Sequence, residues 1–153
     1  MFWLFFMVLL VLDQVTKHLV TSSIELGQSI PLIEGVFRLT YVQNNGAAFS
    51  ILQGQRWFFV VITIIALIVI VFIRYKYYKK DKWMTAALAV LAAGALGNMI
   101  DRLLYGYVVD FFDFYLINFA VFNVADCCIV VSLVFIAILV IKKPSKIKSR
   151  DAE

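Results

Sequence analysis

The chain has 153 residues, of which 63% are hydrophobic and 16% charged, whereas soluble domains average roughly 45–50% apolar and about 25% charged. That balance excludes an ordinary soluble globule. The formal net charge of +4 does not point to nucleic acid, because the basic residues flank hydrophobic runs, as they do at membrane surfaces.

A helix of about 20 residues crosses a hydrocarbon core of about 30 Å, so the length suits one membrane domain, 1–153, with four spans. The first is expected at about 1–20. It contains Asp13 and Lys17, four apart on one helical face. It has no basic residue before Lys17 and no A-x-A after the apolar run, so it reads as a retained span and not a cleaved leader. Residues 21–56 form a loop that is partly extended. Phe37, Leu39 and Tyr41 alternate there with Arg38, Thr40 and Val42, and Asn44 to Gly46 signals a turn.

The second span, about 57–73, is free of charge. The third, about 83–100, is rich in alanine and glycine, which let helices approach closely in lipid. The loop 103–122 is crowded with aromatic residues, which together with Asp113 read as interfacial. The fourth span, about 124–141, stops at Lys142, Lys143 and Pro144. The expected fold is all-α integral membrane, with four transmembrane helices and a small β-rich cradle outside the membrane.

Of the 14 basic residues, five lie between Arg74 and Lys82 and five more from Lys142 onward. Basic residues favour the cytoplasmic side. Both termini are therefore expected inside, with loops 21–56 and 103–122 outside.

Charges within spans are costly, at least about 2.5 kcal/mol at mid-bilayer, so each requires a reason. The polar residues fall into four groups toward one membrane face. These are Asp13–Lys17, Asn44–Ser50, Gly97–Arg102 followed by Asp110 and Asp113, and Phe122–Asp126. Asn98, Asp101 and Arg102 share a helical face, as do Asn123 and Asp126. Each group also has a structural reading. Asp13 and Lys17 can be a buried ion pair. Asp101 can hold Arg102 or a helix end. Asn123 and Asp126 can cap the fourth helix. His18, the only histidine, has no obvious nucleophile to serve, and no metal-ligand spacing is present. Carboxylates are the acid–base groups available in number. The adjacent Cys127 and Cys128 read as packing residues.

The motifs DQVTK, NNGAAFS, GNMIDR with VVDF, and FNVAD, in that order, closely resemble those of the lipoprotein signal peptidases, also called signal peptidase II. The match covers nearly the whole chain. It implies a bacterial inner-membrane aspartyl endopeptidase that needs no metal or cofactor. Its substrates would be diacylglyceryl-modified lipoprotein precursors, cut just before the lipidated cysteine. Carried over by motif, the catalytic residues are Asp110 and Asp126. Asp13, Lys17, Asn44, Gly46, Asn98, Asp101, Arg102 and Asn123 are supporting or substrate-binding. The family also implies an extended cradle and a short helix before the second span. The Cys–Cys pair after Asp126 departs from the more usual hydroxyl or small residues. The alternatives are a small proton-coupled transporter, since paired intramembrane acids also mark proton relays, and a non-enzymatic scaffold. The chain is expected to act as a monomer with membrane lipid, and without nucleic acid.

Overall fold

The structure is a computed structural model that describes residues 1–46 and 52–142. Four helices are long and apolar enough to cross a membrane: α1 (Phe2–Ser23), α2 (Arg56–Tyr77), α3 (Lys82–Leu104) and α4 (Val124–Lys142). They run past the apolar stretches that mark them in sequence. α2 carries on through Arg74 and Lys76, whose long side chains can reach back along the helix to keep their charges at its end. The connection to α3 is a tight turn in which Asp81 accepts the Trp83 and Met84 N–H groups, both at 3.1 Å, and so caps α3.

α3 is the central helix, packed against α1, α2 and α4. Its small residues explain how. Ala89, Ala92 and Ala93 are buried. A Cβ on Gly94 would collide with the Ala125 carbonyl oxygen of α4, and one on Gly97 would lie 2.5 Å from Asp13 Oδ2 of α1. These two contacts bring polar atoms of α1 and α4 against α3.

At one end of the bundle sits a three-stranded antiparallel sheet, β1 (Ser29–Ile33), β2 (Phe37–Asn44) and β3 (Val108–Asp113), in that order. β3 occupies much of what reads in sequence as an aromatic loop. The alternation expected in β2 is broken, since Thr40 and Tyr41 are both buried. The β2–β3 register shifts between Leu39 and Val42, and such a bulge resets which side chains face inward. Val20 of α1 and Ile24, the residue that follows the helix, join Tyr41, Val109 and Phe111 in a buried cluster under the sheet.

Two interfacial assignments are corrected. Phe111 is core. Asp113 is buried and accepts Arg38 Nε at 2.6 Å and Thr40 Oγ1 at 2.7 Å. The Arg38 guanidinium also lies over the Tyr115 ring, 4.6 Å from its centroid. The ion pair clamps β2 to β3 and takes the Asp113 carboxylate out of the surface, while Arg38 stays partly exposed. Asp110 lies on the same strand, so this clamp also fixes the strand that presents it.

Candidate active site

Asp110 and Asp126 reach the site from different elements and meet at Asn123. Asp110 is on β3, opposite Val42 in the sheet register. Asp126 is in the first turn of α4. Asn123 is fully buried. Its side-chain oxygen accepts the Asp126 N–H at 2.9 Å, and its own N–H donates to Asp126 Oδ2 at 3.1 Å. That reciprocal pair is a capping box with Asp as its acid. The Asn123 amide nitrogen lies 2.7 Å from Asp110 Oδ1, 3.1 Å from Asn98 Oδ1 and 3.2 Å from the Val109 carbonyl oxygen. The structural reading of Asn123 as a cap is therefore correct, and the same residue ties the two carboxylates together.

Asn98 supplies the other end. It donates to Asp126 Oδ1 at 2.7 Å, while its oxygen accepts Lys17 Nζ at 3.0 Å. Asn44 donates to Asp110 Oδ2 at 2.9 Å and accepts the Gly46 N–H at 2.9 Å. Asp110 is 2% exposed. Burial, and then the nearby charge of Asp126, push its carboxyl up to about 7.

Beneath this pair lies a buried ionic cluster. Lys17 Nζ is 3.0 Å from Asp13 Oδ2 and 2.9 Å from Asp101 Oδ2. The expected Asp13–Lys17 pair is present but is extended by Asp101. Asp101 does not hold Arg102. It pairs with Lys17 and accepts the Val109 N–H at 3.0 Å, locking β3 to α3. Asp13 Oδ1 accepts the Ala125 N–H at 2.9 Å, one of the unpaired donors at the start of α4. Gln14 was not singled out in the sequence. Its amide nitrogen is 3.1 Å from Asp13 Oδ2, 3.1 Å from Asp101 Oδ1 and 3.3 Å from the Gly97 carbonyl oxygen. Its place between Asp13 and Lys17 was the signal available.

Arg102 also departs from expectation. Its fork meets no carboxylate among the described residues. Nη1 donates to the Asn98 carbonyl at 3.2 Å and Nη2 to the Gly46 carbonyl at 2.8 Å, with the guanidinium 4.7 Å from the Phe59 ring centroid. It ties the turn after β2 to α3. Residues 47–50 of the second motif, and the start of the expected short helix before α2, lie outside the described residues. His18 is exposed on α1. Cys128 is buried and Cys127 half-buried, both as free thiols.

Asn44, Asn98, Arg102, Asp110 and Asp126 line a cavity of about 610 Å³, whose walls include Phe59, Thr63, Val130 and Val131. The cavity thus joins an acid pair to an apolar cleft between α2 and α4.

Residues 5–142 match the family model described as signal peptidase (SPase) II. The chain belongs to the signal peptidase II family. Among its relatives is a lipoprotein signal peptidase of Brevibacillus brevis, 48% identical over 86% of this chain and 89% of that one. One from Halalkalibacterium halodurans is 44% identical over 95% and 96%. A solved bacterial membrane enzyme superposes with a TM-score of 0.90 at 37% identity, covering 99% of this chain and 94% of that one. This signal peptidase is thus an enzyme and a multi-pass membrane protein, which sets aside the transporter and scaffold readings.

Proposed function

We propose that Asp110 and Asp126 are the catalytic pair with which this peptidase removes signal peptides from diacylglyceryl-modified lipoprotein precursors, cutting before the lipidated cysteine. The observation that carries the assignment is the shared hold of Asn123 on both carboxylates at the wall of one cavity. Asp126 receives two donors at a helix N-terminus, the surroundings of a carboxylate. Asp110 holds its proton near neutral pH, as a general acid must.

In this mechanism Asp126 takes a proton from water, whose oxygen attacks the scissile carbonyl carbon. Asp110 gives its proton to the carbonyl oxygen. When the tetrahedral species collapses, Asp110 recovers that proton, and Asp126 passes its own to the departing amine of the cysteine. Two carboxylates at one site titrate as a unit, the logic used by soluble aspartic proteases. The supporting roles follow from the contacts. Asn98, Asn123 and Asn44 orient the acids. Asp13, Lys17 and Asp101 brace them from below. Arg102 fixes Gly46 at the rim.

The apolar cleft suits the diacylglyceryl group, since each acyl methylene buried contributes about 0.8 kcal/mol. The basic residues between Arg74 and Lys82 and from Lys142 onward support a topology with both termini in the cytoplasm and the sheet and acids toward the outer face of a bacterial inner membrane. The chemistry requires no metal, and one subunit supplies every group in it.

The deciding experiment is cleavage of lipidated and unlipidated precursor in proteoliposomes by the wild type, Asp110→Asn and Asp126→Asn. Each variant should lose turnover by about 10³-fold or more at unchanged expression, and the unlipidated precursor should be cut poorly. Either variant retaining activity would remove the dyad. Cysteine labels at positions 79 and 107 should report opposite sides of the membrane.

A further inference from the structure

α2 turns one face toward the carboxylate cavity. Phe59 lies against the Arg102 guanidinium, and Thr63 follows it by one turn on the same face. Thr63 is the only hydroxyl residue in the charge-free stretch from Trp57 to Ile73, and it lines the same cavity as Asp110 and Asp126. A hydroxyl within a helix can satisfy itself on a carbonyl one turn back. Thr16, Thr21, Ser22 and Ser132 do so, and Thr85 donates to the Tyr78 carbonyl. Thr63 makes no hydrogen bond among the described residues. Within the hydrocarbon layer an unpaired hydroxyl costs free energy, which a polar group of a ligand would offset.

The depth of Thr63 identifies that group. Arg56, at the start of α2, donates to the Leu103 carbonyl near the end of α3. Thr63 lies about two turns farther along α2, which brings it level with the stretch of α3 from Ala95 to Asn98. To one side of that level the cavity wall is polar, with Asn98, Arg102 and the two acids. To the other side Ala95 and Ile129 lead into an apolar groove between α2 and α4. A diacylglyceryl cysteine has the same boundary within it. Its two ester groups stand between the thioether and the acyl chains. An ester carbonyl can only accept a hydrogen bond, and a threonine hydroxyl can donate one.

We infer that Thr63 binds an ester carbonyl of the substrate's diacylglyceryl group and so sets the depth at which the lipidated cysteine lies beside Asp110 and Asp126. The assignment rests on the catalytic reading of that cavity and gives it a specificity-determining residue. Thr63 touches the lipid and not the scissile bond, so it acts on binding and not on the chemical step.

The test compares two precursors in proteoliposomes, alike except that one carries diacyl esters and the other dialkyl ethers, which lack the carbonyls. For the wild type, KM should be about five-fold higher with the ether precursor, the effect of one neutral hydrogen bond, at unchanged kcat. Thr63→Val keeps the shape of the side chain and removes the hydroxyl. It should raise KM for the ester precursor by the same factor and leave the ether precursor unaffected, while Thr63→Ser keeps the wild-type preference. The melting temperature of Thr63→Val should not fall, since no partner within the protein is lost. The absence of an ester preference in the wild type, a preference that survives Thr63→Val, or a fall in melting temperature alongside its loss would overturn the inference. The dyad reading fails differently, by turnover that survives Asp110→Asn or Asp126→Asn.

Discussion

Asn123 and Asp126 cap each other, side-chain oxygen to N–H at 2.9 Å and N–H to carboxylate at 3.1 Å. The bond that starts α4 is therefore also the bond that aims a proposed catalytic acid. Helix stability and activity are separable here because the Asn123 amide nitrogen serves Asp110 instead. Serine can replace the cap but not that donor. Asn123→Ala should be less stable than Asn123→Ser by about 1 kcal/mol, the usual value of a cap. Both should lose cleavage to a similar extent, about 10²-fold or more. Thermal unfolding and initial rates on the same preparations would show whether the two properties part in this way.

Asp110 makes stability depend on pH in a direction opposite to that of most carboxylates. Its folded pKa is raised from 3.8 to about 7, by burial first and the charge of Asp126 second. Between those two values the folded protein holds a proton that the unfolded chain has released. Stability then falls as pH rises across that window and levels off above it. Asp110→Asn should flatten this slope and raise the melting temperature at pH 8 relative to wild type, while abolishing turnover. A melting temperature that climbed from pH 4 to 7 in the wild type would contradict the assignment.

The four helices were legible because apolar runs near 20 residues have few other uses. The site motifs were legible because polar residues are rare in such runs. Pairings distant in sequence were not. Arg38 and Asp113 are 75 residues apart, and neither reads alone as a buried partner. β1, Ser29–Ile33, carries Pro31 and no alternation to mark it. Asp101 looked like the partner of its neighbour Arg102. However, successive helical residues point about 100° apart, which turns Asp101 toward α1 and Arg102 toward Gly46 and Phe59.

Arg102 bridges two backbone carbonyls, on Asn98 and Gly46, while stacking on Phe59. Lysine offers one compact ammonium and cannot span both. Losing one charge-assisted bond of roughly 1.5–3 kcal/mol should lower kcat/KM about 10- to 100-fold in Arg102→Lys. Because the bond to Gly46 holds the rim of the cavity and not a reacting group, much of the loss should appear in KM. A variant with wild-type kcat/KM would reduce Arg102 to a charge that sets topology.

Lys17 is the cation on which two buried carboxylates depend, at 3.0 Å from Asp13 and 2.9 Å from Asp101. It is 3% exposed, so water cannot take its place. Lys17→Met leaves both acids uncompensated, and breaking a buried pair in this way costs roughly 3–5 kcal/mol. Folding alone would then explain any loss of activity, so a second variant is needed. Lys17→Met with Asp101→Asn removes one charge of each sign. The new side chain can still accept the Val109 N–H that Asp101 now accepts at 3.0 Å. Much of the stability should return. Activity should not, because Asn98 keeps its amide turned toward Asp126 by offering its oxygen to Lys17. Without the cation the amide can rotate and withdraw its donor from the acid. The readout is melting temperature beside the pH profile of cleavage. A double variant with restored stability, a displaced profile and reduced kcat makes Lys17 a positioning residue. Restoration of both stability and kcat would leave it only the structural role of balancing Asp13 and Asp101.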